Sequence, residues 1–127
     1  MIYVEGMLCK HFKGEKLEDK NIYRIVKLGV NGQDIDEKIV TYTGDGDLAT
    51  ASNLVIYANI FQDDKLFARE YEDISSKLPD EKQKQFGQML RVQPLTLAEI
   101  KMINTPEFIS LKQQKTLEKY NDASIKK

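Results

Sequence analysis

The sequence predicts an α+β fold: a small antiparallel sheet, curled towards an open barrel, followed by C-terminal helices. Three observations carry this. Five short runs rich in β-branched and aromatic residues fill positions 1–72, separated by turn residues. From Asp73 the pattern changes to helix starts and stops. The 127 residues match the size of one domain, so a strand-rich part (1–72) and a helical part (73–127) are expected to share one core.

The first run, Met1 to Phe12, mixes apolar and polar residues, and Gly6 predicts a bend or bulge in it. Lys13 to Asn21 reads as a polar loop. Ile22 to Val30 is the clearest strand, with Arg24 and Lys27 interrupting its apolar set, and Asn31-Gly32 is a strong turn signal. Lys38 to Thr43 gives a third strand, closed by Gly44-Asp45-Gly46-Asp47. Asn53 to Phe61 is apolar enough for a central strand. After a turn at Gln62-Asp63-Asp64, Lys65 to Tyr71 alternates: Leu66, Ala68 and Glu70 on one face, Phe67, Arg69 and Tyr71 on the other.

Asp73 to Lys77 reads as a short helical turn. Pro79 to Lys82 opens a helix, with acidic residues favourable to its dipole, and Gly87 ends it. Met89 to Val92 is a short extended piece before Pro94. Thr96 to Glu99 is a capping box that starts a helix to about Ile103. Thr105-Pro106 caps a last helix towards Tyr120, with a sparse stripe of Phe108, Ile109, Leu111, Leu117 and Tyr120. Phe86 and Phe108 are assigned to the core, and the polar end, Asn121 to Lys127, is expected to fray.

Composition excludes several classes. Nineteen basic against twenty acidic residues leave a net charge of -1, which argues against a duplex nucleic-acid binder. No apolar run approaches a membrane span, and the N-terminus shows no signal-peptide pattern, so a cytoplasmic location is expected. The single cysteine, Cys9, permits no internal disulfide and reads as a small buried residue. With one histidine, a site needing two is ruled out, and Cys9 with His11 lacks the further ligands of structural zinc. No phosphate loop, dinucleotide fingerprint or nucleophile elbow is present, and Gly44 to Asp47 lacks the ligands of a calcium loop. Neither metal nor cofactor is expected, and no catalytic constellation stands out.

The cations are more informative. Arginine occurs only at Arg24, Arg69 and Arg91, each in or beside an apolar stretch, and Lys10-His11-Phe12-Lys13-Gly14 adds charge beside an aromatic. A strand arginine offers a planar fork to phosphate or carboxylate. Tyr23, Tyr42, Tyr57 and Tyr71 could stack on a base. The alternative is that the arginines close internal ion pairs and the tyrosines fill the rim of the core.

Lys10-His11-Phe12-Lys13-Gly14, Ile22-Tyr23-Arg24-Ile25-Val26, Leu54-Val55-Ile56-Tyr57 and Lys65-Leu66-Phe67-Ala68-Arg69, taken in order, resemble the domain of unknown function 1653 family of short bacterial and phage proteins. The likeness covers about residues 5–78. It implies a compact β-rich module and no particular activity, and it marks His11, Lys13, Tyr57 and Arg69 as motif positions. Three features depart from the pattern: Asp47 to Ser52 carries no histidine where the family has one, Glu70 replaces a proline, and Gly32 to Gly46 looks inserted.

The expectation is a non-enzymatic binding module for an anionic, nucleotide-like ligand. Lys13 and Arg69 would meet phosphate, Phe12 or Tyr57 would pack on a base, and Arg24 or Arg91 would close the site, with His11 beside them. Small size, missing catalysts and the family's phage distribution suggest a sequestering protein that counters host nucleotide signalling. A second expectation is an interaction module. From Ser110 onward there are five lysines and two acids, a solvated face or a docking helix for a partner or for homo-oligomer assembly. It predicts that removing Pro106 to Lys127 abolishes association while the β part stays folded. A third is a phosphoesterase dependent on His11.

Overall fold

The central pair of antiparallel strands organises the molecule. In the computed structural model, which describes residues 2–125 and side chains as far as Glu118, β2 (Ile22–Val30) pairs with β4 (Leu54–Asn59). Strands β1 (Leu8–His11), β3 (Val40–Tyr42), β5 (Lys65–Glu70) and β6 (Val92–Pro94) extend this pair into a six-stranded sheet of order β3-β5-β4-β2-β1-β6. Every residue of β4 is buried, as its apolar run requires. The α+β class is therefore the one observed, with the sheet open at both edges.

Two local expectations are corrected. Residues 5–6 form a turn, and the first strand starts only at Leu8. Asn31-Gly32 makes the expected turn, opening a single 3-10 turn, Gly32–Asp34. The chain then crosses the sheet, and β3 lies outside β5, pairing with it in parallel, so the sheet is mixed and not purely antiparallel. The reason is burial. Val30 already pairs with Leu54, so β4 occupies the place beside β2. Residues 31–53 instead lay Ile35, Val40, Leu48 and Ala51 over Leu54, Ile56 and Ala68. Gly32 lies under Leu48, where a Cβ would come within 1.6 Å of the Leu48 carbonyl oxygen.

The same face carries the helices. α3 (Leu97–Ile103) and α4 (Pro106–Ile125) bury Ile103 and Phe108 against Ile22 and Leu95. α3 begins with the expected capping box between Thr96 and Glu99. Glu99 also binds Lys10 of β1, tying the helix start to the sheet. The opposite face is closed at one end by Tyr3, Ile74 of α1 (Tyr71–Ile74) and Val92. α2 (Asp80–Phe86) ends at Gly87, whose φ of +63° is the left-handed cap that favours glycine.

Lysines fasten these parts from inside. Lys20 is buried and donates to the main-chain carbonyls of Phe12 and Phe86. Lys112 of α4 is also buried and donates to the carbonyls of Glu18 and Lys20. With Phe108 in the core as well, α4 belongs to the sheet's own packing and is not separable from it. The side chains of Tyr120 and of the polar end lie outside the described ones, as do Lys126 and Lys127 altogether. No helix among the described residues is long and apolar enough to cross a membrane.

Replacing Lys112 by methionine keeps the stem but strips the loop carbonyls of their donor. Such a loss at a buried site costs about 2–4 kcal/mol. Urea unfolding should show a lower midpoint with an unchanged slope; an unchanged midpoint would mean that the lysine is not part of the fold's support.

Candidate ligand site

Strand register decides which side chains meet. Cys9 lies opposite Tyr23, and Tyr23 opposite Asn59. Ile25 lies opposite Tyr57, Tyr57 opposite Phe67, and Val55 opposite Arg69. Alternation puts Tyr23, Tyr57, Phe67, Arg69 and His11 on the face opposite α3 and α4. Their rings form a continuous row. Phe67 stacks on Tyr57 at 5.7 Å, Tyr57 meets Tyr23 at 4.7 Å, and Tyr23 meets His11 at 6.4 Å. The row turns the sheet edge through Phe12, 4.7 Å from His11 and 5.3 Å from Phe86 of α2.

The row is braced more than open. Tyr57 and Phe12 are 6% and 5% exposed, so neither offers a free face for stacking, and the half-buried rings are those of His11, Phe67 and Phe86. Burial raises both phenols, Tyr23 to about 12. Tyr57 remains neutral and shares a hydrogen bond with Thr43.

The cations separate into three situations. Arg24 lies opposite Leu8 and Ala58, on the face that carries the helices, and pairs with Asp64 at 3.0 Å. It is not brought together with the others. Arg69 shares the face of the ring row, where its Nε donates to Asp73 at 2.7 Å. Arg91 has no hydrogen-bond or ion-pair partner for its guanidinium among the described residues; its Nε is buried and unpaired, and the guanidinium lies over the Phe12 ring, 6.0 Å from its centre. Lys13 is exposed beside His11.

His11 is where these charges meet. The main-chain N–H of Lys13 donates to its Nδ1 at 3.3 Å, so the ring is neutral and carries its proton on Nε2. Burial, followed by the charges of Lys13, Arg91, Arg69 and Lys20, lowers its pKa from 6.5 to about 4. All four of those neighbours are cations. Cys9, two residues earlier, is buried, and its thiol is pushed up to about 12. Among the described residues no cluster of His, Cys, Asp and Glu has the makings of a metal site.

Of the residues singled out from sequence, His11, Phe12, Lys13 and Arg91 lie together at one end of the ring row, Tyr57 and Arg69 lie along it, and Arg24 is elsewhere. As site residues, sequence reasoning did not single out Lys82 of α2, whose Nζ is 5.6 Å from the Phe12 ring, nor Phe67, Lys20 and Asp73, and it gave Phe86 to the core alone. The Arg69/Asp73 spacing of four was the one local signal available. Comparisons with family models, curated proteins and solved structures return no match. The likeness to the domain of unknown function 1653 family thus stays one of short motifs.

The histidine has a testable consequence. Between about pH 6.5 and about pH 4 the unfolded chain takes up a proton at His11 that the folded protein refuses. Stability should therefore be complete above about pH 6.5 and fall as the pH drops towards 4. In denaturant titrations His11→Asn should flatten that part of the profile. A parallel loss in both proteins would show that carboxylates alone set it.

Proposed function

We propose that this protein is a non-enzymatic module that binds an anionic, nucleotide-like ligand at the His11 end of the ring row. The observation that carries this reading is charge without compensation. Arg91 keeps an unpaired guanidinium with a buried Nε, and the largest charge effects on His11 come from the cations Lys13, Arg91, Arg69 and Lys20. A cation held half out of water without a counter-ion costs free energy that a bound anion returns. The neutral His11 adds an Nε2–H donor, and Phe67 and His11 supply ring edges for an aromatic group.

Cytoplasmic action as a phage-type sequestering protein is consistent with this reading, and the motif likeness to the family of unknown function 1653 supports its bacterial or phage setting. A phosphoesterase would need His11 as a base, and its low pKa leaves it a weak one. The second reading, assembly through α4, has its own support in Leu111 and Leu117, which are 39% and 62% exposed. Because Phe108 and Lys112 are part of the fold, that reading is better tested by Leu117→Asp in sedimentation than by truncating the helix.

A thermal-shift screen with linear and cyclic nucleotides tests the leading reading. A ligand at one hundred times its dissociation constant stabilises the fold by about 2.7 kcal/mol. The gain should vanish in Arg91→Ala and persist in Arg24→Ala, on the opposite face. Loss in Arg24→Ala alone, or no gain with any nucleotide, would contradict the assignment.

A further inference from the structure

Resting on the reading above, we propose that the anionic end of the ligand is a terminal phosphate monoester, a dianion, seated where Arg91 and Lys82 lie over the Phe12 ring, with Lys13 next to Phe12 in the chain. The argument is a count of charges left over. Four ion pairs occur among the described residues: Lys10 with Glu99, Arg24 with Asp64, Arg69 with Asp73 and Lys115 with Asp19. None involves Arg91, Lys82 or Lys13. Two of these three cations lie within 6.0 Å of the same ring, Phe12: the Arg91 guanidinium, and the Lys82 ammonium at 5.6 Å. The third follows Phe12 in the chain.

They come from three separate parts of the fold. Lys13 follows β1, Lys82 rides on α2, and Arg91 precedes β6. Main-chain pairing holds two of those parts together, since the Phe12 N–H donates to the Arg91 carbonyl at 2.9 Å. Lys20 joins the third, because it bridges the Phe12 and Phe86 carbonyls. The frame thus sets the Arg91 and Lys82 cations over one ring, and an anion of more than one charge can answer both.

Phosphate chemistry then selects among anions. A terminal monoester presents three oxygens and carries about −1.5 to −2 charges at neutral pH. A guanidinium fork and two point-like ammonium groups can serve all three oxygens. A cyclic or bridging diester offers two free oxygens and one charge, leaving one cation unserved.

Calorimetric titration at neutral pH and fixed ionic strength would compare a nucleoside 5′-monophosphate with its 3′,5′-cyclic counterpart, using wild type and Lys82→Ala. Lys82 is exposed, and circular dichroism would verify the variant's fold. The monoester should bind wild type about tenfold more tightly or better, since one further charge-assisted contact is worth roughly that factor. Lys82→Ala should weaken both ligands, the monoester more, and so reduce the preference. Equal affinities, or a tighter cyclic nucleotide, would overturn the dianion proposal and leave the ligand site standing. Binding of neither nucleotide to wild type would overturn the site itself.

Discussion

The register of the four adjacent strands β1, β2, β4 and β5 is the constraint on which the rest depends. Side chains alternate across a sheet, so a slip of one residue would send His11, Tyr23, Tyr57, Phe67 and Arg69 to the side of α3 and α4 together. What holds the register is burial on both faces. Ile22, Leu54, Ile56 and Ala68 lie under helices and the crossing loop, while Cys9, Ile25 and Val55 lie under Tyr3, Ile74 and Val92. Neither set can be exposed without opening a core, and the ring row is fixed as a by-product of the packing.

The same packing explains why the charges at the site stay uncompensated. β6 delivers Arg91 to the edge of β1 by main-chain pairing, which is indifferent to side-chain charge. Lys20 and Lys112 both donate to main-chain carbonyl oxygens. They tie loop to helix, and Lys20 adds to the positive field at His11. Acids that could have answered are committed elsewhere: Glu99 to Lys10, Asp73 to Arg69. None of the ion pairs among the described residues reaches Arg91, although the overall charge is only -1.

Much of the local structure was legible in the sequence. β2 spans Ile22 to Val30 as its β-branched pattern indicates, and α3 starts at the capping box it advertises. Alternation in Lys65 to Glu70 correctly separated Phe67 and Arg69 from Leu66 and Ala68. The parallel pairing of β3 was not legible, because Asn31-Gly32 carries a hairpin signal and the burial of Leu48 that overrides it is a long-range effect. Nor could sequence distinguish the three arginines. Arg24 and Arg69 find acids through turns and helix spacing, while Arg91 finds none, and that difference exists only once the chain is folded. Lys112 looked like part of a solvated lysine face and is buried because α4 crosses the Glu18 to Lys20 loop.

The central claim is that the ring row and its unpaired cations form one ligand surface. The most direct measurement is an NMR titration with a nucleoside monophosphate, following the ring signals of His11, Phe12, Tyr23, Tyr57 and Phe67 and the Arg91 Nε–H. The account predicts saturable shifts that are largest at His11, Phe12 and Arg91 and fade towards Phe67, with the signals of Arg24 and α4 unmoved. Shifts centred on Arg24 or on α4, or none at saturating ligand, would contradict it.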